Sequence, residues 1–154
     1  MMDPTEVSAD NEWLADRYVA AYPENLPFWE AARTHKLVLP MCGDCKRCHW
    51  YPRTVCPLCG GLDISWAPSL GRGTVHSFSI QRRCIAKIIL AYVRLEEGPV
   101  LMTNIVDCAF DDVAIGMKVQ VKFLRTPEGR HAPFFAPASD LESDPALEAD
   151  TRPA

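Results

Sequence analysis

The stretch Cys42-Gly-Asp-Cys45-Lys-Arg-Cys48-His-Trp-Tyr-Pro-Arg-Thr-Val-Cys56-Pro-Leu-Cys59 decides the fold. Two Cys-x-x-Cys pairs separated by ten residues form two thiolate knuckles able to converge on one tetrahedral ion. Four soft sulfur ligands suit zinc and leave no position for an activated water, so the expected role of the ion is structural. A rubredoxin-type iron centre uses the same four ligands, and spacing alone does not separate the two metals. Cys45-x-x-Cys48 with His49 is a second permissible register. The pairing of Cys42 with Cys45 and of Cys56 with Cys59 is preferred because it puts the same knuckle in both halves, with Tyr51-Pro52-Arg53 at the return between them. Cys48 is then a spare thiol.

Outward from the cluster, Leu37, Leu39 and Met41 alternate in a strand that leads into the first knuckle. Upstream, Leu26 to Arg33 reads as a helix with Asn25 as N-cap, Pro27 in its first turn and Phe28, Trp29 and Ala32 as its apolar side. Glu12 to Tyr22 reads as a further amphipathic helix, with Asp10 or Asn11 as N-cap and Pro23 as its stop. Downstream, five strands are expected at about Gly73–Arg82, Ala86–Leu95, Val100–Asp107, Lys118–Leu124 and Arg130–Phe135. Glu96-Glu97-Gly98-Pro99 makes a hairpin, and Phe110 to Gly116 is expected to hold one helical turn capped by Asp111 or Asp112. Five short strands interrupted once after the third fit an OB-type barrel better than a sandwich. The chain therefore divides into a helical segment (1–34), a zinc ribbon (35–68), an OB-fold domain (69–137) and an acidic tail (138–154) expected to be disordered, since from Ala136 on only Leu141 and Leu147 are large and apolar.

The 154 residues, 48% hydrophobic and 23% charged, with a mean hydropathy of -0.07, exclude a fibre, a wholly disordered chain and a membrane-spanning helix. Met1 to Asp16 is acidic and has no apolar signal-peptide core. Seven cysteines are an odd number for a disulfide framework, and the expected location is a reducing cytoplasm. The net charge of -4 hides a basic window from Arg33 to Arg94, where ten basic residues face two acids. Within it Arg72, Arg82, Arg83 and Lys87 are candidates for binding phosphates or an acidic partner, because guanidinium forks match phosphate oxygens. The four histidines (His35, His49, His76, His131) are scattered, and there is no nucleophile elbow, phosphate loop or dinucleotide fingerprint. His76 is expected partly buried on the first barrel strand, Cys108 in the core, and no residue is assigned a catalytic role.

The series Phe28-Trp29-Glu30-Ala31-Ala32, Leu37-Val38-Leu39, the two knuckles, Tyr51-Pro52-Arg53, Gly71-Arg72-Gly73-Thr74-Val75-x-Ser77-Phe78, Leu95-Glu96-Glu97-Gly98-Pro99, Thr103-Asn104-Ile105-Val106-Asp107-Cys108 and Ile115-Gly116-Met117-x-Val119 resembles a known family. These are the acyl-CoA-associated OB-fold proteins with a rubredoxin-like zinc ribbon, formerly a domain of unknown function, and the likeness spans Pro27 to Pro137. It implies a non-catalytic subunit beside a thiolase-like enzyme, as in acyltransferase and sterol side-chain aldolase complexes, supporting assembly or handling of a CoA thioester. Two departures stand out. Lys46 replaces the glycine that commonly follows the second cysteine, and Gln81-Arg82-Arg83-Cys84-Ile85-Ala86 is shorter and more basic than the usual proline-rich loop. A single-stranded nucleic-acid binder with Phe78, Tyr92 and Phe123 as stacking rings is the alternative, disfavoured by overall acidity.

Overall fold

The computed structural model describes residues 16–83 and 87–138. Helix α1 (Arg17–Ala21) is capped by Asp16, whose Oδ1 accepts the Tyr18 amide at 2.8 Å; Asp10 and Asn11, the expected caps, lie outside the described residues. Leu14 and the rest of the expected earlier turns lie outside the described residues. After a 3-10 turn at Pro23–Asn25, α2 (Leu26–Arg33) forms at the expected place. Asn25 holds the N-cap position, as expected, but its side chain makes no capping hydrogen bond. The buried Asn25 side chain donates from Nδ2 to the Tyr51 hydroxyl at 3.0 Å, which ties the helix to the ribbon. Phe28 and Ala32 are buried in the core, and Trp29 packs against it.

Strand β1 (Leu37–Cys42) pairs antiparallel with β2 (Ile64–Ser69), from Leu37 opposite Ser69 to Cys42 opposite Ile64. The sequence reading missed β2. Each strand carries a proline, Pro40 and Pro68, which a two-stranded ribbon tolerates because every strand in it is an edge. The barrel strands are β3 (Arg72–Gln81), β4 (Ile88–Leu95), β5 (Val100–Ile105), β6 (Lys118–Arg125) and β7 (His131–Pro137), closed in the order β3-β4-β5-β7-β6. Only β5 and β7 run parallel, meeting at Ile105 and Phe135. That order is the five-stranded OB arrangement. Val75, Ile89, Val93, Leu95, Val119 and Phe135 fill the interior.

The ends of the barrel differ from the expectation in three places. Between β5 and β6 the chain makes two turns, with Asp112 N donating to Ala109 O and Met117 N to Ala114 O, and no helix. Asp111 and Asp112 are exposed there and have no helix to cap. Strand β7 runs on to Pro137, and Ala136 is buried, so those two residues belong to the barrel; residues 139–154 lie outside the described set. A β-bulge between Val75 and Ser77 leaves His76 unpaired and turned to solvent rather than partly buried.

Ribbon and barrel meet at Leu70 and Gly71. The Leu70 amide donates to Glu97 Oε1 at 2.9 Å, and its carbonyl accepts from Gln120 Nε2 at 2.8 Å, so two barrel side chains hold one linker residue. Gly71 sits at φ +67, and a side chain there would collide with Val121.

Candidate metal centre and barrel surfaces

The two knuckles are built alike. In the first, Lys46 N donates to Cys42 O at 2.9 Å; in the second, Gly60 N donates to Cys56 O at 2.9 Å. Lys46 and Gly60 occupy the same left-handed position, at φ 56 and φ 79. The turns bring Cys42 Sγ to 3.6 Å from Cys59 Sγ and Cys45 Sγ to 3.8 Å from Cys56 Sγ, and all four sulfurs lie within 4.8 Å of one another. Tetrahedral zinc with Zn–S bonds of ~2.3 Å needs sulfurs about 3.8 Å apart, so the donor set fits the ion in number, chemistry and spacing. The thiols share protons unequally. At Cys45 desolvation raises the pKa, but hydrogen bonds from the Arg47 backbone and side chain and from neighbouring sulfurs outweigh it and bring it to about 6. At Cys59 a hydrogen bond from Gly61 lowers the pKa, while desolvation and the three other sulfurs push it up to about 12. A cation among them is the ordinary remedy for such crowding.

Cys48 stands apart from the cluster, bridged through its backbone to Met41. Burial, and then the Glu97 charge, raise its pKa, which makes it a poor ligand and a poor nucleophile. His49 is buried with Nδ1 3.2 Å from the Tyr51 carbonyl and is not among the converging ligands. Cys108 is half-buried against the core, its thiol donating to the Ala109 carbonyl at 3.4 Å. Cys84 lies outside the described residues.

The structure divides the basic candidates. Arg82, Arg83 and Lys87 flank the β3–β4 loop and are exposed, whereas Arg72 is at the other end of β3, a ten-residue strand spanning roughly 30 Å. One ligand phosphate therefore cannot engage all four. A groove of about 240 Å³ opens between β4, β5 and β7, lined by Leu90, Met102, Thr103, Asn104, Pro133 and Phe134. Tyr92 and Met102, paired across β4 and β5, are 47% and 59% exposed. Strands two and three of an OB barrel are the face that binds ligands in many such folds, and β4 and β5 hold that position here. The three rings suggested for base stacking do not form one platform. Phe78 packs on the core, Phe123 stacks under His35 at 5.7 Å, and Tyr92 alone among the three is exposed.

Sequence reasoning also missed that His35 and His131 meet, with ring centroids 5.2 Å apart. No local motif joins them, since the contact is made by the docking of α2 on β7. No helix among the described residues is long and apolar enough to cross a membrane.

Fold and cluster together define a two-module protein, a four-cysteine zinc ribbon leading into an OB barrel. Family models match accordingly: the ChsH2 rubredoxin-like zinc ribbon domain over residues 29–65 and the ChsH2 C-terminal OB-fold domain over residues 66–124. A DUF35 domain-containing scaffold protein of Methanothermobacter thermautotrophicus is 32% identical over 97 residues, covering 56% of this chain and 71% of the relative. The chain belongs to this ChsH2/DUF35 family. A probable enoyl-CoA hydratase alpha subunit of Thermomonospora curvata is 34% identical over 121 residues, covering 75% of this chain but only 38% of that subunit. Among solved structures, the Ltp2-ChsH2(DUF35) aldolase contains a chain 34% identical, with TM-score 0.65, covering 74% of this chain and 94% of that one. A DUF35 protein from Sulfolobus solfataricus, 16% identical with TM-score 0.58, covers 81% of this chain and 96% of its own and shares the fold.

Proposed function

We propose that this chain is a non-catalytic subunit of a thiolase-like acyl-CoA enzyme, supporting its assembly and presenting a surface to the CoA thioester. The observation that carries the reading is the 34% identity to a chain of the Ltp2-ChsH2(DUF35) aldolase, whose name joins this family to Ltp2 in one enzyme. The name of the hydratase relative, 38% of which this chain covers, brings an enoyl-CoA reaction to the same module. Cys42, Cys45, Cys56 and Cys59 hold one zinc ion, which cross-links the knuckles and so fixes the ribbon. Arg82, Arg83 and Lys87 are exposed between β3 and β4, and Leu90 of β4 lines an apolar groove; a phosphorylated ligand with a long uncharged arm calls for both features on one face. Arg72 is left outside that surface by its place at the far end of β3.

Calorimetry of the zinc-loaded chain against a thiolase-like partner, a CoA thioester and a single-stranded oligonucleotide tests the proposal. Binding to the partner, no thioester turnover by the chain alone, and restored activity or stability of the partner on mixing are expected. Arg82→Glu with Arg83→Glu should weaken binding, and added salt should mimic it because exposed charge attraction is screened. Tight binding to the oligonucleotide alone would replace this reading with a nucleic-acid one, and thioester cleavage by the isolated chain would end both.

A further inference from the structure

His35 fills a position built for glycine. It follows α2 by two residues at φ 57, its amide donating to Ala32 O at 3.0 Å while Lys36 N donates to Ala31 O at 3.0 Å, the double return bond of a helix that ends in a left-handed residue. Glycine is the usual occupant because a Cβ costs energy there. Here the strained backbone carries an imidazole instead, and that ring lies on Phe123 of β6, nearly parallel at 8°, with the His131 ring of β7 edge-on to it. Arg125 is the cross-strand neighbour of His131, and its guanidinium lies over the hairpin turn, within reach of Gly129. Arg33, in the last turn of α2, is near enough for its charge to act on His131.

We propose that this seam, formed by the end of α2, the turn into β1 and the β6–β7 hairpin, binds a phosphate-bearing small molecule through Arg125, His35 and His131, with Arg33 at its edge. Four groups able to carry positive charge converge from three parts of the chain, and no ion pair among the described residues joins His35, Arg125 or His131 to a carboxylate. The neighbouring Arg130 is excluded from the set because Asp16 and Glu128 already face it. Burial, followed by the positive charges of His35, Arg125 and Arg33, holds the His131 pKa below its ordinary value. Its Nδ1 is shut from solvent without a hydrogen-bond partner. An anion arriving among these groups removes their mutual repulsion, so binding takes up a proton and strengthens as pH falls. A compact dianion with several acceptor oxygens matches donors gathered in one place better than carboxylates spread over a protein surface.

The seam is independent of the thioester reading. Pairing of Arg72 with Gln120 puts Arg125 beyond the Arg72 end of β3, whereas the basic loop follows the Gln81 end. The test uses full-length, zinc-loaded chain and histidine ring NMR during titration with inorganic pyrophosphate or AMP, against sodium chloride at matched ionic strength. Saturable shifts of both His35 and His131, a raised His131 pKa in the bound state, and at least a fivefold tighter Kd at pH 6 than at pH 8 are expected. Stronger binding of AMP would assign a base to the exposed His35 face, and equal binding would assign the phosphate alone. His35→Gly keeps the turn and removes the ring, so it should fold at least as well and lose most of the affinity. Shifts no larger than those with chloride, a Kd independent of pH, or full affinity in His35→Gly would overturn the proposal.

Discussion

Asp16 Oδ2 lies 3.0 Å from Arg130 Nε, and the Arg130 guanidinium sits over the rings of Tyr18 and Trp29 at 4.9 and 5.2 Å. The Asp16 side chain is 1% exposed, and that of Arg130 15%. The contact is ionic rather than an aligned hydrogen bond, since neither atom has a partner of hydrogen-bond geometry. It pins the start of α1 to the beginning of β7, at the place where α2 also docks.

Removing one member of this pair strands a buried charge. Arg130→Met should cost about 3 kcal/mol in denaturant unfolding. Asp16→Asn retains a capping oxygen, and the double variant should recover most of the loss because no charge is then left alone. Equal losses in the single and double variants would assign the effect to the rings rather than to the pair.

Lys46 pays a left-handed backbone cost that Gly60 avoids at the equivalent place in the other knuckle. Lys46→Gly should therefore stabilise the metal-loaded protein by about 0.5–1 kcal/mol, the Cβ penalty less the extra freedom glycine has when unfolded. Thermal melting should show a rise of a few degrees, with metal content unchanged.

Metal analysis separates the two cysteine registers. Cys56→Ser should lose the ion and with it the ribbon, because structural zinc supplies ~10 kcal/mol or more of apparent binding energy. Cys48→Ser should keep one ion per chain and nearly the parent stability; loss of the ion there would mean that Cys48 is a ligand.

Acid should weaken the fold partly through His131. Its folded pKa lies below the ordinary 6.5, so between that lowered value and about 6.5 the unfolded chain binds more protons, and stability rises with pH across the window. Thiolate protonation also releases metal in acid. The His131 share is read as the difference in slope between the parent and His131→Gln at equal zinc occupancy, and that difference should be positive.

The barrel was legible because β3 and β6 alternate apolar and polar residues, and because all five strands stand between turns of strong chemistry, such as Glu96-Glu97-Gly98-Pro99. The cysteine spacing likewise pointed to the cluster that the structure brings together. What escaped depended on tertiary partners. Ile64–Ser69 contains Pro68 and becomes a strand only because β1 lies beside it. Asn25 has the right chemistry for a cap, but Tyr51 offered its side chain a better partner across the ribbon. Arg72 looked like one of a basic set because charge counts along a chain carry no direction, and ten residues of extended strand set it apart from Arg82, Arg83 and Lys87. The His35–His131 meeting has no local signature at all.

The double hold on Leu70 leaves the ribbon without play. With its amide bound to Glu97 and its carbonyl to Gln120, the one residue between β2 and Gly71 cannot act as a swivel. A subunit gripping the ribbon would consequently aim the barrel, as a handle aims a tool. An extra glycine inserted at this joint should leave both modules folded while the barrel loses its bearing toward whatever the ribbon grips.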